Sequence, residues 1–349
     1  CSPFVSVCCI VGNANLSLSA PRPSSLTSSD CAGAPWPKAR TFSKAEILKF
    51  KRQGFLVLRG FLTEPVVHVL IQEVAEICQR WPQEGFDPRF DCFRSGTWTQ
   101  SDVARDFLYY SPVAETIRNL LQTDGVRIQE DGVLALFDSN SGTEWHTDMN
   151  GHGGILTEFH RQTRGASIWI ALTEVDAAKS GGTIMLSSGG HLSNCSSYAL
   201  DLQYQLPPPK GTYCHRQLYT NGLVHSFKPG DALIYHPLMP HATQHFYHTS
   251  GSYRLSWYAR FVESNAVYCY KEYFVRASNG QAECQHSLQP GQRAHHVCFQ
   301  QMYPLLAHEV EERMRSTWHV PVAQMTQEKV QLYREGLGLF QQQCVERKK

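Results

Sequence analysis

The hydrophobic and polar positions of this chain change their period twice, which divides the chain into three parts. Apolar residues recur at helical spacing before about residue 121 and again from about residue 298. Between these parts lie short apolar runs separated by glycine and proline turns, a pattern typical of β-strands. Helices are predicted over residues 43–54, 65–79, 112–121, 305–314 and 327–340. Strands are predicted over residues 55–58, 126–137, 145–148, 166–172, 183–186, 232–235 and 253–261.

The first predicted helix has a start signal and a stop signal. Ser43 is followed three residues later by Glu46, as in a capping box, and Gly54 can end the helix. Residues 82–105 are predicted to be an irregular but packed loop, and residues 192–222 a long polar excursion. Helices, then many short strands, then helices indicate a mainly β fold (α+β), with a barrel or sandwich core flanked by helices.

Length and composition indicate an ordinary globular protein with an unusual start. The chain has 349 residues, of which 42% are hydrophobic and 18% charged. Residues 1–40 are rich in serine and proline, so they are predicted to be a disordered or targeting tail, and residues 41–349 a single domain. No apolar run reaches the ~20 residues of a membrane-spanning helix. The expected location is cytoplasmic, or organellar if the tail is a transit peptide.

Charge and cysteine content exclude two further classes of partner and site. Lys+Arg 32 against Asp+Glu 31 gives a net charge of +1, and basic residues do not cluster before the last three positions, so no nucleic-acid partner is expected. The 12 cysteines are scattered without a Cys-x-x-Cys pair, which argues against a zinc ribbon or redox motif. They are expected to be reduced residues of the core, with disulfides as the less favoured alternative.

The strongest chemical signal in the chain is Trp145-His146-Thr147-Asp148. Side chains alternate along a strand, so His146 and Asp148 on the predicted strand share one face. An imidazole and a carboxylate on one face supply two of the three ligands of a 2-His-1-carboxylate iron site. One His-x-Asp is a weak signal by itself, so a second histidine from a distant strand is required.

Several histidines further along the chain compete to be that third ligand: His225, His236, His241, His245 and His248. His241 is favoured because Arg254 follows it thirteen positions later on the next predicted strand, which places both at one mouth of a barrel. A guanidinium there can bind a dicarboxylate through two parallel hydrogen bonds, which lysine cannot reproduce. The ordered set is a much stronger signal than any single histidine.

This ordered set resembles the phytanoyl-CoA dioxygenase family of Fe(II)/2-oxoglutarate-dependent oxygenases. Four other segments resemble the same family: residues 50–62, 167–172, 181–191 and 229–236. The resemblance covers roughly residues 42–265 and implies a double-stranded β-helix (jelly-roll) core. Two positions depart from the family pattern. Gly189-Gly190-His191 replaces a Gly-Ser-His turn, and Asp138 follows a strand at which many relatives carry a lysine.

The resemblance implies the metal and the reaction. It assigns Fe(II) to His146, Asp148 and His241, with 2-oxoglutarate and O2 as cosubstrates. Related halogenases have a small residue at the position of Asp148, which leaves room for chloride. A carboxylate fills that room, so hydroxylation is expected here rather than halogenation.

The resemblance also implies how the cosubstrate is held. The far carboxylate of 2-oxoglutarate would pair with Arg254, with the Thr243 hydroxyl beside it and Trp169 in the core or the pocket wall. Arg260 shares a strand face with Arg254 and is expected to contact a surface acid, with an acidic substrate as the alternative.

The expected substrate is a small molecule, with a lipid or acyl derivative as one option. Two rival functions stay open: an oxygenase that acts on a nucleobase or a protein side chain, and a non-catalytic β-helix that only binds ligands. Substrate choice is expected to depend on the loops at 82–105, 149–165 and 192–225. The sequence does not indicate the oligomeric state.

Overall fold

The computed structural model describes residues 38–80, 92–99, 101–136, 142–143, 145–148, 164–179, 181–193, 195, 208–247, 253–267, 274–276, 282–285, 292–293 and 299–304. The helices in these ranges are α1 (Lys44–Gln53), α2 (Glu64–Arg80), α3 (Asp102–Tyr110), α4 (Val113–Leu121) and the short α5 (Tyr213–His215). The strands are β1 (Phe55–Leu58), β2 (Cys92–Ser95), β3 (Val126–Leu136), β4 (Gly165–Ala171), β5 (Ile184–Leu186), β6 (Leu223–Val224), β7 (Ala232–Tyr235), β8 (His241–Thr243), β9 (Arg254–Glu263), β10 (Phe274–Arg276), β11 (Ala282–Gln285) and β12 (Gln301–Tyr303).

Some predictions fall on parts of the chain that are not described. The predicted helices at 305–314 and 327–340 lie outside the described residues, as does the tail up to residue 37. Among the helices that are described, none is both long and apolar enough to cross a bilayer.

Helix α1 begins and ends where the sequence predicts. The Ser43 hydroxyl accepts a hydrogen bond from the Glu46 N–H at 3.3 Å, and the Glu46 carboxylate accepts one from the Ser43 N–H at 2.8 Å. This is the predicted capping box. The chain leaves the helix at Gly54, whose φ of 84° is a left-handed conformation that glycine adopts without strain. A side chain at this position would also collide with the side chains of Met239 and His191, so the local packing favours glycine as well.

The strands described above form two facing sheets and a separate pair. The larger sheet has the order β1-β7-β4-β9-β3-β12, with β2 also paired to β3, and the smaller one the order β6-β5-β8. All of these pairings are antiparallel. This arrangement confirms the predicted mainly β core with flanking helices.

Strand alternation divides the core into two layers. Ile168 and Ile170 on β4 pack with the apolar faces of α1 to α4, in a layer that we call the outer core. Trp169 and Ala171 point the other way and pack against Leu186 of the smaller sheet, in the inner core between the two sheets. The larger sheet is therefore buried on both faces, and only its inner face is available to line a site inside the barrel.

A β-bulge in β3 changes which side chains enter the barrel. Ile128 pairs with Phe261 of β9 and Glu130 pairs with Arg260, so Gln129 is an extra residue in β3. Without the bulge, Gln129 would oppose Arg260 and Glu130 would face the helices, because side chains alternate along a strand. The bulge turns Glu130 to the inner face, beside Arg260.

Three local predictions are wrong. The segment from Trp145 to Asp148 is not a regular strand, since His146 forms an isolated bridge with His241 and Asp148 lies in a turn. The stretch of residues 82–105, predicted to be irregular, contains strand β2, which pairs with β3, and the start of α3. Ser101 caps α3 by accepting a hydrogen bond from the Ala104 N–H at 2.9 Å. Helical periodicity from residue 298 gives way to strand β12, because pairing with β3 overrides the local pattern.

The expectation that the cysteines are reduced is also wrong for four of them. Cys78 at the end of α2 is bonded to Cys92 of β2, and Cys195 is bonded to Cys214 of α5. The Cα atoms are 5.8 and 5.1 Å apart, within the range that a disulfide allows. The partners are 14 and 19 positions apart in the sequence, so no short motif indicates the pairing.

A buried carboxyl group gives the fold a pH-dependent stability. Complete burial raises the pKa of Asp131 to about 7, although the Thr97 hydroxyl and the Trp98 N–H donate hydrogen bonds to it. The folded state therefore holds a proton that the unfolded chain has already lost between about pH 4 and pH 7. The contribution of Asp131 to stability should consequently fall as the pH rises through this window.

We expect Asp131→Asn to reduce this dependence. The wild-type protein should lose stability between pH 5 and pH 8 as Asp131 ionises, whereas the amide of the variant does not ionise. The difference in free energy of unfolding, variant minus wild type, should therefore increase by on the order of 1–3 kcal/mol over this range. Denaturant unfolding at the two pH values measures the difference. An equal change of stability with pH in both proteins would contradict the assignment.

Candidate metal centre

His146 and His241 are brought together by their backbones. Each residue donates its N–H to the carbonyl oxygen of the other at 2.8 Å, in a narrow antiparallel bridge. Strand β8 is itself aligned by β5, where Leu186 lies opposite His241. The centres of the two imidazole rings are consequently only 4.2 Å apart.

His146, Asp148 and His241 form a cluster that could hold a metal ion. One ligand atom from each residue lies within 4.8 Å of the others, and His241 Nε2 is 3.6 Å from Asp148 Oδ1. The other nitrogen of His241, Nδ1, lies 2.9 Å from the carbonyl oxygen of Met239. A carbonyl only accepts, so Nδ1 carries the proton and Nε2 presents a lone pair. Burial lowers the pKa of His241, although the Asp148 carboxylate acts in the opposite direction. The lowered pKa favours the neutral imidazole that a metal needs.

Asp148 is 3% exposed, and both of its carboxylate oxygens are engaged. The Ser167 hydroxyl donates to Oδ2, and Arg260 Nη2 donates to Oδ1 at 2.8 Å. Burial opposes ionisation, but the charge of Arg260 and the hydrogen bond from Ser167 hold the pKa of Asp148 well below its ordinary value. The carboxylate is therefore ionised and fixed in orientation beside the two imidazoles.

Arg260 lies inside the barrel, so the predicted contact with a surface acid is wrong. Its side chain is 14% exposed, and its two Nη atoms donate to Asp148 and to Glu130. The guanidinium carbon is 4.9 Å from the centre of the Tyr258 ring, and the Tyr258 hydroxyl donates to Glu130 at 3.2 Å. Arg260 thus bridges a candidate ligand carboxylate and a second buried carboxylate.

The residues around Asp148 form one row across the larger sheet. Register places Tyr235 of β7, Ser167 of β4, Arg260 of β9 and Glu130 of β3 side by side on the inner face. Burial and the nearby Asp148 carboxylate raise the pKa of Tyr235 well above its ordinary value, so its hydroxyl keeps its proton. Sequence reasoning missed Tyr235, Ser167 and Glu130. The only signal for Ser167 was its place two residues before Trp169 on a predicted strand.

Arg254 is a second buried cation on the inner face, and it is 1% exposed. Its Nη1 donates to the carbonyl oxygen of Gly182, and its Nε has no hydrogen-bond partner among the described residues. No carboxylate in the described ranges pairs with it. Burial lowers the pKa of Arg254 to about 10, so it is still cationic at neutral pH. Because burying a charge without a counter-charge is costly, this end of the barrel suits an anionic ligand.

Two other buried donors lie near Arg254. In the described part of the chain, neither Trp169 Nε1 nor Ser256 Oγ has a hydrogen-bond partner. The guanidinium carbon of Arg254 is 5.8 Å from the centre of the Trp169 ring. Ser256 follows Arg254 by two positions on β9 and lies opposite Ala171, two positions after Trp169 on β4. Sequence reasoning missed Ser256, although Arg254-x-Ser256 on a predicted strand places both on one face.

Thr243 lies near the same end of the barrel. Its hydroxyl accepts a hydrogen bond from the Thr143 hydroxyl at 2.9 Å, and its N–H donates to the same Thr143 oxygen at 2.9 Å. Register places Thr243 opposite Ile184, two positions from Gly182, which accepts from Arg254. With Thr143 as the donor, the Thr243 hydroxyl can donate its own proton to a further acceptor.

The histidines that competed with His241 lie elsewhere, where they are described. His236 is next to His191, with ring centres 4.9 Å apart, and the side chain of His245 is exposed. His225 is half-buried, and burial lowers its pKa. His248 lies outside the described residues.

Comparison with known proteins decides the family. The sequence profile of one family, phytanoyl-CoA dioxygenase (PhyH), matches residues 50–254, more than half of the chain. The chain belongs to the phytanoyl-CoA dioxygenase (PhyH) family. The matched span contains His146, Asp148, His241 and Arg254. A search of curated protein sequences finds no significant match.

Solved structures show that this PhyH-family chain has the expected fold. SnoK, described as a non-heme α-ketoglutarate-dependent carbocyclase from nogalamycin biosynthesis, matches with a TM-score of 0.54 and 16% identity, over 76% of this chain and 99% of SnoK. SnoN, described as an epimerase from the same biosynthesis, matches with 0.53 and 17%, over 73% and 96%. EctD from S. alaskensis with bound Fe matches with 0.54 and 15%, over 74% and 91%. These matches confirm the double-stranded β-helix.

Proposed function

We propose that this PhyH-family protein is an Fe(II)- and 2-oxoglutarate-dependent dioxygenase that hydroxylates a small molecule. One observation carries the proposal. The three residues of the metal cluster face the interior of the barrel, and so does the buried guanidinium of Arg254. No carboxylate among the described residues pairs with Arg254. A metal chelator that carries a second carboxylate satisfies both features at once.

The donor set fits Fe(II). His146, Asp148 and His241 offer two imidazole nitrogens and one carboxylate oxygen, the facial set found in non-haem Fe(II) oxygenases with open positions. One carboxylate leaves the bound Fe(II) with a net charge of +1, which favours an anionic chelator in the open positions. Fe(II), 2-oxoglutarate and O2 would supply the oxidising chemistry, in which R–H becomes R–OH while 2-oxoglutarate is split to succinate and CO2.

The other end of the barrel fits the far carboxylate of 2-oxoglutarate. Arg254 would pair with it, and the unpartnered Trp169 Nε1 and Ser256 Oγ would donate to the same carboxylate. Thr243 would add a further hydroxyl donor. Charge-assisted hydrogen bonds of this kind are roughly twice as strong as neutral ones, so they can orient the cosubstrate before reaction.

The rest of the inner core would keep the site dry and rigid. Trp169, Tyr235 and Tyr258 belong to this inner core and are almost fully buried around the site. Asp148 fills the metal position that a halide would need, so the proposed outcome is hydroxylation. An EctD structure that holds 2-oxoglutarate and 5-hydroxyectoine shows a small hydroxylated ligand in a barrel of this fold.

We expect the purified protein, supplied with Fe(II) and O2, to convert 2-oxoglutarate to succinate, and His241→Ala to abolish that conversion, because two ligands do not hold the ion. Succinate measured by mass spectrometry tests this.

A second experiment compares lipid and acyl derivatives with modified nucleosides and peptides as substrates. The true substrate should gain one oxygen atom and raise the succinate yield. Chlorinated product would refute hydroxylation, and absence of succinate with every class would refute the proposal.

A further inference from the structure

Glu130 and Arg260 form a buried ion pair that touches the candidate metal centre on one side. Arg260 donates to Glu130 Oε2 through Nη1 and to Asp148 Oδ1 through Nη2, and the side-chain exposures are 14% for Arg260 and 8% for Glu130. Nothing in the proposed reaction needs Glu130 to touch cosubstrate or substrate. The pair therefore requires an explanation of its own.

The position of Glu130 depends on the bulge in β3. A regular strand would direct this carboxylate into the outer core, among the side chains that pack against the helices. The bulge instead directs it to the inner face, where Arg260 and the Tyr258 hydroxyl bind it. β-Bulges next to active sites often turn a side chain towards the site, and this one turns Glu130 towards Arg260.

We propose that Arg260 is a positioning residue that holds the Asp148 carboxylate in the orientation in which it would bind a metal ion through one oxygen, and that Glu130 offsets the charge of Arg260 so that the metal ion is not repelled. The proposal rests on the proposed metal-dependent function. Arg260 holds one oxygen of Asp148 and Ser167 holds the other, so the carboxylate cannot rotate. A carboxylate held in this way would bind Fe(II) through one oxygen and would leave positions for a cosubstrate and O2.

The role of Glu130 follows from a count of charges. Asp148 and Glu130 contribute −1 each and Arg260 contributes +1, so the group carries −1 (−1 − 1 + 1). Arg260→Gln changes the sum to −2, and Glu130→Gln changes it to 0. The double variant restores −1. Since a divalent cation responds to the net charge around it, the two single variants should change metal affinity in opposite directions.

The test is the dissociation constant of Mn(II), measured by calorimetry without cosubstrate. We expect Arg260→Gln to bind Mn(II) roughly tenfold more tightly, because the effect of removing one positive charge exceeds that of the lost hydrogen bond to Asp148. Glu130→Gln should bind Mn(II) roughly tenfold more weakly, because the charge of Arg260 is then no longer offset. The double variant should lie within a factor of about three of the wild-type protein, because the two changes cancel. Arg260→Lys keeps the charge but cannot hold Asp148 and Glu130 at the same time. Its Mn(II) affinity should therefore stay near the wild-type value, while 2-oxoglutarate binding to the Mn(II)-loaded variant should weaken.

Opposite signs separate this role from a purely structural one. Damage to the fold would weaken Mn(II) binding in both single variants, and that result, or no change in either, would overturn the proposal. Arg52→Gln makes the same substitution on the exposed face of α1 and should leave the constant unchanged. If the wild-type protein itself binds no Mn(II), the proposed function fails first, so the two failures can be told apart.

Discussion

Replacing Arg254 with methionine is expected to weaken 2-oxoglutarate binding by about 100-fold or more and, at the same time, to stabilise the ligand-free protein. The guanidinium is 1% exposed, has an unpartnered Nε and lacks a carboxylate partner in the described chain. Its burial is therefore costly in the free protein and is repaid only when an anion binds. Methionine fills a similar volume without a charge, so it removes both the cost and the binding.

The two effects are measured separately. The dissociation constant of 2-oxoglutarate is obtained by calorimetry on Mn(II)-loaded protein, and the free energy of unfolding by denaturant titration of ligand-free protein. We expect a gain of about 1–2 kcal/mol in the ligand-free variant, because methionine loses the hydrogen bond to Gly182 but no longer buries a charge. 2-Oxoglutarate should raise the stability of the wild-type protein and leave that of the variant unchanged.

Arg254→Lys is the matched variant that keeps the charge. Lysine cannot form two parallel bonds with a carboxylate, so its affinity should lie between those of the wild-type protein and Arg254→Met. Equal 2-oxoglutarate affinity in all three proteins would show that the cosubstrate does not bind at this end of the barrel.

Asp148→Asn is expected to have the second large effect, a loss of divalent metal affinity of more than about 100-fold. Residues that only support metal ligands cost 10- to 100-fold when they are changed, so a ligand should cost more. Asparagine has nearly the same shape and can still accept from Arg260 or Ser167, but it carries no charge to attract the ion.

Calorimetric titration with Mn(II) measures this effect, and stability provides an internal control. The variant removes one of the two carboxylates that pair with Arg260 among the described residues and keeps Glu130. We therefore expect the free energy of unfolding to fall by about 1–3 kcal/mol. Ser167→Ala removes a hydrogen bond to the same carboxylate without changing charge, and should lower the affinity by only about 10-fold. A metal affinity of Asp148→Asn equal to that of the wild-type protein would exclude Asp148 as a ligand.

The metal cluster could be predicted because its residues lie in short segments with their own signals. His146 and Asp148 are two positions apart, and Arg254 follows His241 by thirteen positions, on the next strand. The alternation of β4 and β9 then places Trp169 and Arg254 on the inner face, as a strand pattern requires. For Trp169 and Arg254, the hydrophobic pattern contained the necessary geometry, whereas the regular strand predicted for His146 and Asp148 does not form.

The support around the cluster could not be predicted, because it depends on contacts between distant strands. The role of Arg260 depends on Glu130, and Glu130 faces inwards only because of a bulge that no residue pattern in β3 marks. The two disulfides likewise join positions that no short motif connects. The division into a tail of residues 1–40 and a single domain of residues 41–349 stays a prediction.

One measurement tests the central claim most directly, namely that metal and cosubstrate bind together in this barrel. Under anaerobic conditions, Fe(II) and then 2-oxoglutarate are added to the purified protein while visible absorption is recorded. The proposal predicts a charge-transfer band that appears only when both are present, is absent in His241→Ala and needs far more 2-oxoglutarate in Arg254→Met. No band with the wild-type protein at saturating Fe(II) and 2-oxoglutarate, or the same band in His241→Ala, would contradict it.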